Sequence, residues 1–519
     1  MIFQSLFPKS VIAMLSSLCL LSGCDWVMSQ ANAVNTNIPQ QIVKPSSPTQ
    51  NTHPKQQEVL LQAQKLMDGY FYDEALSLLN SAENTTEIQN LRQKCQTLKN
   101  ALVRYEGRHY HVFFHSLIVD TSKAFDGDFM QQGYNMYMTT VSEFQKMLPL
   151  FLEQGFILYD IADMVEFKDG QAIPKDIYLP EGKKPLIISI DDVNYYEYMK
   201  TDGFANRLDV DDAGNVVTII KDENGQEKIT YDGDVMPILD DFVKRHPEFS
   251  WRGAKGIVAV TGYEGAFGYR ITDHNKYSED EINQMRHQVK KVADALRQTG
   301  WKIANHSYTH NRYWANKTMT MKQLEYDIGK WQTEIAPYVG KTNIIITPFG
   351  VSYDPRDPRF RYIVDNGFNI YCPVGSDMSV TVEKDYMLFS RLNLDGITMI
   401  AYPQRMSRHF FEPELVLDVV RPPLVLQKMV QKKKSSGFKS REAIPEEFLM
   451  PLNPVISQKS EISAEQFPAV QHHAEEHSSS QVPQEDVQLT VTEQTKEEPP
   501  KTEHQTPTVQ EIIKEFIEE

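Results

Sequence analysis

Short apolar runs recur through the middle of the chain at Val112–Phe114, Phe156–Leu158, Leu186–Ile190, Gly256–Val260, Trp301–Ala304, Ile344–Ile346, Ile370–Tyr371 and Thr398–Ile400. Runs of this kind, rich in β-branched and aromatic residues, predict buried strands. Most intervals between them carry helical periodicity, for example Ile282 to Gln298. Strands alternating with helices predict an α/β fold with a parallel sheet and crossover helices. Residues 207–231 break this rhythm. There Arg207-Leu208-Asp209-Val210, Val216 to Ile220 and Lys228 to Tyr231 are separated by Gly214-Asn215 and Asn224-Gly225. Such dipeptides between β-branched runs predict hairpins, hence a β insertion.

Outside this body the pattern changes. Over 56–105, Leu60, Ala63, Leu66 and Met67 share one helical face and Ala75, Leu76, Leu78 and Leu79 another. This predicts a helical hairpin resembling one tetratricopeptide unit. One unit cannot bury its own face, so it should pack on the main body. At the N-terminus, Lys9 precedes an apolar run, Val11 to Leu21, too short to span a bilayer. The run ends in Leu21-Ser22-Gly23-Cys24, which resembles a bacterial lipoprotein signal. Residues 1–24 are therefore expected to be the signal and its box, with Cys24 the lipidation site. The protein would then be lipid-anchored, facing the outside of the cytoplasmic membrane. Residues 25–55 read as a flexible tether. Residues 436–519 read as a disordered tail rich in Ser, Gln, Pro, Glu and Thr. Its last apolar residues, Val509, Ile512, Ile513, Phe516 and Ile517, have helical spacing that suits a protein partner.

The net charge of −17 is concentrated at that end, where residues 459–519 hold 14 Asp or Glu against 4 Lys. The body is only mildly acidic, and no basic groove points to nucleic acid. Of the four cysteines, Cys19 leaves with the signal and Cys24 carries lipid. Cys95 and Cys372 fall in different modules, so no disulfide framework is expected.

The candidate chemistry lies in two distant fragments, Ser189-Ile190-Asp191-Asp192 and His306-Ser307-Tyr308-Thr309-His310. Adjacent carboxylates at a strand's end diverge, so one can hold a metal while the other stays free as a base. Two imidazoles four residues apart share a face if the stretch is helical. Two His and one Asp leave a coordination position open, as in hydrolytic metal centres. A third fragment, Thr347-Pro348-Phe349-Gly350, follows the strand Ile344–Ile346.

The order strand-Asp-Asp, His-Ser-x-x-His, strand-x-Pro-Phe-Gly resembles the polysaccharide deacetylases of carbohydrate esterase family four, over roughly residues 107 to 402. His111 to Leu117 looks like that family's first strand; Thr139 to Phe144, followed by Gln154-Gly155-Phe156, looks like its first helix and the strand after it. The resemblance implies an irregular (β/α) barrel over 106–435. It also implies Asp191 as general base, Asp192, His306 and His310 as metal ligands, and the Phe349 N–H in an oxyanion hole. Two departures stand out. The family's Arg two residues before the motif's Pro is Ile346 here, and the stretch matching its last strand, Asp395 to Tyr402, lacks the His that serves as general acid. His409 lies nearby, without a match to that role.

The expected activity is metal-dependent removal of N-acetyl groups from an envelope polysaccharide such as peptidoglycan or a related glycan. Zinc suits the ligand set, as do cobalt, nickel and manganese. The two departures keep a non-catalytic glycan binder open as an alternative, and the tether, hairpin and tail an envelope scaffold.

Overall fold

The computed structural model describes residues 54–424. The expected signal, Cys24, the tether up to residue 53 and the acidic tail lie outside the described residues. Among the described residues no helix is long and apolar enough to cross a membrane.

A ten-stranded sheet organises the body. Its strands are β1 (Tyr110–Phe114), β2 (Phe156–Leu158), β3 (Lys184–Ile190), β4 (Ile257–Val260), β5 (Lys302–Asn305), β6 (Ile344–Ile346), β7 (Ile370–Cys372), β8 (Val380–Glu383), β9 (Tyr386–Phe389) and β10 (Leu392–Asn393). The order is β8-β9-β7-β6-β5-β4-β3-β1-β10, with β2 beside the start of β3. Every pairing is parallel except β8 with β9. Helices Val141–Glu153, Val235–Arg245, Glu279–Gln298, Met321–Lys330 and Pro358–Asp365 cross between successive strands. The strands other than the antiparallel edge strand β8 are buried almost throughout, Ile344, Ile345 and Ile346 among them. Each such side chain contributes roughly 1.5–3 kcal/mol of transfer free energy. The sheet curls. Residues 386–393 pair through β9 with β7, bridge from Arg391 to Val374, and pair through β10 with β1 at the other end.

The expected β insertion is a three-stranded antiparallel sheet of Arg207–Val210, Val216–Lys221 and Glu227–Thr230. Gly214 and Gly225 take the positive φ of 85° and 75° that its two turns require.

Two expectations change. Residues 56–105 form three helices, Pro54–Asp68, Tyr72–Ser81 and Thr86–Asn100, rather than a hairpin, and then enter a short strand, Leu102–Arg104. The first two helices seat on the body through Tyr70, whose hydroxyl donates to the Glu248 carbonyl (2.8 Å), and through the Glu74–Arg252 ion pair. Thr398–Ile400 is not a strand but part of the helix Gly396–Ala401. The Asp395 carboxylate caps that helix by accepting from the Thr398 N–H (3.1 Å), and an N-cap bond of this kind starts a helix. Cys95 and Cys372 are both buried free thiols.

Candidate metal centre

The C-terminal ends of the parallel strands converge on one spot, where the chemistry of curled α/β sheets collects. β3 runs directly into Asp191 and Asp192, β5 into His306, and β6 into Thr347 and Phe349. The Asp191 N–H extends the ladder to the Phe114 carbonyl (2.8 Å). The chain then turns, with Asp192 at φ 55°, and the two carboxylates part.

Asp192 faces the histidines. Its Oδ1 lies 3.6 Å from Nε2 of His306 and 3.6 Å from Nε2 of His310. One ligand atom from each of the three residues falls within 4.8 Å of the other two. The group can therefore hold a metal ion. The donor chemistry fits. Nδ1 of His306 meets the Ile346 carbonyl at 2.7 Å, and a carbonyl can only accept, so Nδ1 carries the proton and Nε2 presents a lone pair. Burial pushes the His310 imidazole down to about 4, against the opposing pull of Asp192, so at neutral pH it is a neutral ligand. Burial would raise the Asp192 carboxyl. The imidazoles of His310, His306 and His115 and the Tyr196 hydroxyl (2.6 Å) outweigh it and hold the group at about 2.

The histidine pair does not sit on a helix. Residues 306–310 are a loop, with Ser307 at φ 68° and His310 at φ 42°. Non-glycine residues in this region are strained by about 1–3 kcal/mol each and persist where the surroundings fix them. Asp327 does the fixing. Its buried carboxylate accepts from the N–H groups of Tyr308 (2.8 Å) and Thr309 (2.9 Å) and from the Thr309 hydroxyl (2.5 Å). Ser307 Oγ accepts from the His310 N–H at 3.0 Å. Asp327→Ala is expected to weaken metal affinity by about 10–100-fold, the range for lost supporting contacts. A chelator-competition titration with wild-type affinity in that variant would show that the loop holds without it.

Asp191 faces the other way, and its partner was not visible in the sequence. Arg391 donates through Nη1 to Oδ1 (2.7 Å) and through Nη2 to Oδ2 (3.1 Å). The guanidinium is fully buried, also reaches Ser189 Oγ (3.1 Å), and lies 4.3 Å from the centre of the Phe113 ring. Arg391, on the run between β9 and β10, is thus the buried cation that orients Asp191.

His115 completes the cluster. It follows β1, the neighbour of β3, and its Nδ1 lies 3.0 Å from the Tyr137 carbonyl, so Nε2 is the free nitrogen. It lies within electrostatic reach of Asp192, His310 and Asp395. Asp395, lacking any histidine neighbour in sequence, enters the site as a buried carboxyl pushed above its usual range by burial. It accepts two bonds from Asn393 Nδ2 at 2.9 Å. Phe349, at φ 55°, puts its ring 4.5 Å from that of His310. His409 packs edge-on against Tyr110, at the opening residue of β1, far along the strand from the end that carries His115. No family model, curated protein or solved structure matches the chain.

Proposed function

We propose that the protein is a metal-dependent hydrolase that removes N-acetyl groups from an envelope polysaccharide. The observation that carries this reading is the pairing of a buried Asp–His–His group with an adjacent carboxylate that is held apart from it by a buried arginine. A purely structural metal site has no use for a second, separately oriented carboxylate. The run 386–393, pairing to β7 at one end and β1 at the other, supports an irregular (β/α) barrel of the polysaccharide deacetylase type.

Asp192, His306 and His310 would hold the ion. When bound, a divalent metal supplies Lewis acidity to a carbonyl and acidifies a water. Asp191 is oriented by Arg391, and each of its oxygens keeps a further lone pair; one of them takes the proton that the attacking water gives up. The Phe349 N–H is assigned to the carbonyl oxygen as it gains charge. As the new C–O bond forms and the C–N bond breaks, the departing nitrogen needs a proton. His115 is assigned to donate it from Nε2, with Nδ1–H anchored on the Tyr137 carbonyl. Arg391 and His115 fill the two departures that made a non-catalytic glycan binder attractive.

The test couples metal analysis to acetate release from acetylated chitooligosaccharides and peptidoglycan. Wild type should carry about one divalent ion per chain and release acetate. His306→Ala should lose both while keeping the fold, since the site lies at the strand ends and not in the core. Equal metal content in the two proteins would overturn the assignment.

A further inference from the structure

The last described segment, residues 416–424, is tied into the body by a buried knot. The Arg421 guanidinium and the Glu143 carboxylate are almost fully buried together. Nε of Arg421 donates to Oε1 of Glu143 (2.6 Å) and Nη2 to Oε2 (2.7 Å). Nη1 donates to the Asn135 carbonyl (2.9 Å) and to its side-chain Oδ1 (3.1 Å), and Nη2 also reaches the Met138 carbonyl (2.7 Å). The strap adds bonds of its own, from the Asp418 N–H to Glu143 (2.9 Å) and from Asn135 Nδ2 to the Pro422 carbonyl (2.7 Å).

These acceptors have a definite place in the site. Asn135 and Met138 straddle Tyr137, whose carbonyl holds Nδ1 of His115. The helix that Asp395 caps abuts the same knot. A Cβ on Gly396 would come within 1.8 Å of the Asn135 carbonyl and 2.6 Å of Arg421 Nη1. His115 and Asp395 therefore take their positions from one shared point. Burying a guanidinium is costly unless it is fully paired. An arginine needed only to pin the strap would not have to donate to the carbonyls on either side of Tyr137.

We infer that Arg421 is a positioning residue: by clamping the C-terminal end of the helix Gln131–Tyr137 from the C-terminal strap, it aims the His115 imidazole at the departing nitrogen. This rests on the reading of His115 as the proton donor. The prediction is specific to leaving groups. An amine must be protonated as it leaves, whereas a p-nitrophenolate needs no proton. Mispositioned acid catalysis should therefore slow amide cleavage and spare an activated ester.

The experiment uses the full chain. Arg421→Lys keeps a charge opposite Glu143 but loses the planar fork; the double variant Glu143→Gln/Arg421→Gln removes both buried charges together. In either, kcat for acetate release from acetylated chitooligosaccharides should fall at least about tenfold, with KM and metal content unchanged. Hydrolysis of p-nitrophenyl acetate should hold at the wild-type rate. In parallel, imidazole nitrogen NMR should show the His115 Nδ1 resonance shifted as its bond to Tyr137 loosens. Equal losses on amide and ester, or no amide loss, or an unmoved Nδ1 resonance would overturn the proposal. Wild type inactive on both substrates, with the Nδ1 shift still present in the variants, would overturn the hydrolase reading and leave the clamp standing.

Discussion

Arg391→Leu is expected to destabilise the protein by about 3–5 kcal/mol and to lower acetate release at least ~10²-fold. Both effects come from one contact. The guanidinium is wholly buried and donates to both oxygens of Asp191, itself almost wholly buried. Removing it strands a carboxylate away from water with its main partner gone, and breaking a buried pair from one side costs far more than the pair contributes. The carboxylate then has to take up a proton or swing away, and either change removes it as a base. Arg391→Lys separates the two consequences. Its ammonium restores charge balance, so much of the stability should return. It cannot reproduce the two parallel bonds that fix the carboxylate plane, so activity should recover less. Denaturant melts beside acetate release measure the two effects. Wild-type turnover in Arg391→Leu would mean that Asp191 is not the group that moves the proton.

The reason this arginine escaped the sequence is physical. It lies 200 residues from the carboxylate it serves, on a strand run whose neighbours are set by the curl of the sheet. A motif can hold residues that share a turn; it cannot report which strand lies beside which. His115 shows the same limit. The end of its strand was legible from Val112-Phe113-Phe114, but its approach to Asp192 depends on β1 pairing with β3. By contrast, Asp191, Asp192 and His306 were legible because each follows directly on an apolar strand, and such strand ends gather in parallel sheets. The errors have local causes. A short apolar stretch such as Ile397 to Ile400 fits a strand or a buried helical turn equally well, and the cap at Asp395 decides for helix. The spacing of His306 and His310 suited a helix face. Two left-handed residues and the Asp327 clamp bring the imidazoles together in a loop instead.

The sharpest contrast is between two neighbours in sequence. Asp191→Asn is expected to keep the metal and lose most deacetylation, by at least the ~10²-fold typical of a positioned general base. Asp192→Asn is expected to lose the metal itself, because a neutral amide oxygen is a poorer ligand than a carboxylate. The geometry makes the two separable. Asp191 is turned toward Arg391, while Asp192 stands 3.6 Å from each imidazole Nε2. Asn at 191 can still accept one bond from Arg391 through its oxygen, but its NH₂ faces the second guanidinium donor and has no lone pair for a proton. Some loss of stability should accompany the loss of turnover, which makes metal content the cleaner readout. Asn at 192 keeps an acceptor for the Tyr196 hydroxyl, so the loop after β3 should survive while the ion is released. Elemental analysis and acetate assays on the same preparations distinguish the outcomes. A non-catalytic sugar binder would have no turnover to lose and should bind glycan alike in all three proteins. Full acetate release by Asp191→Asn, on a substrate that wild type cleaves, would remove Asp191 from the chemistry even with the metal triad correct.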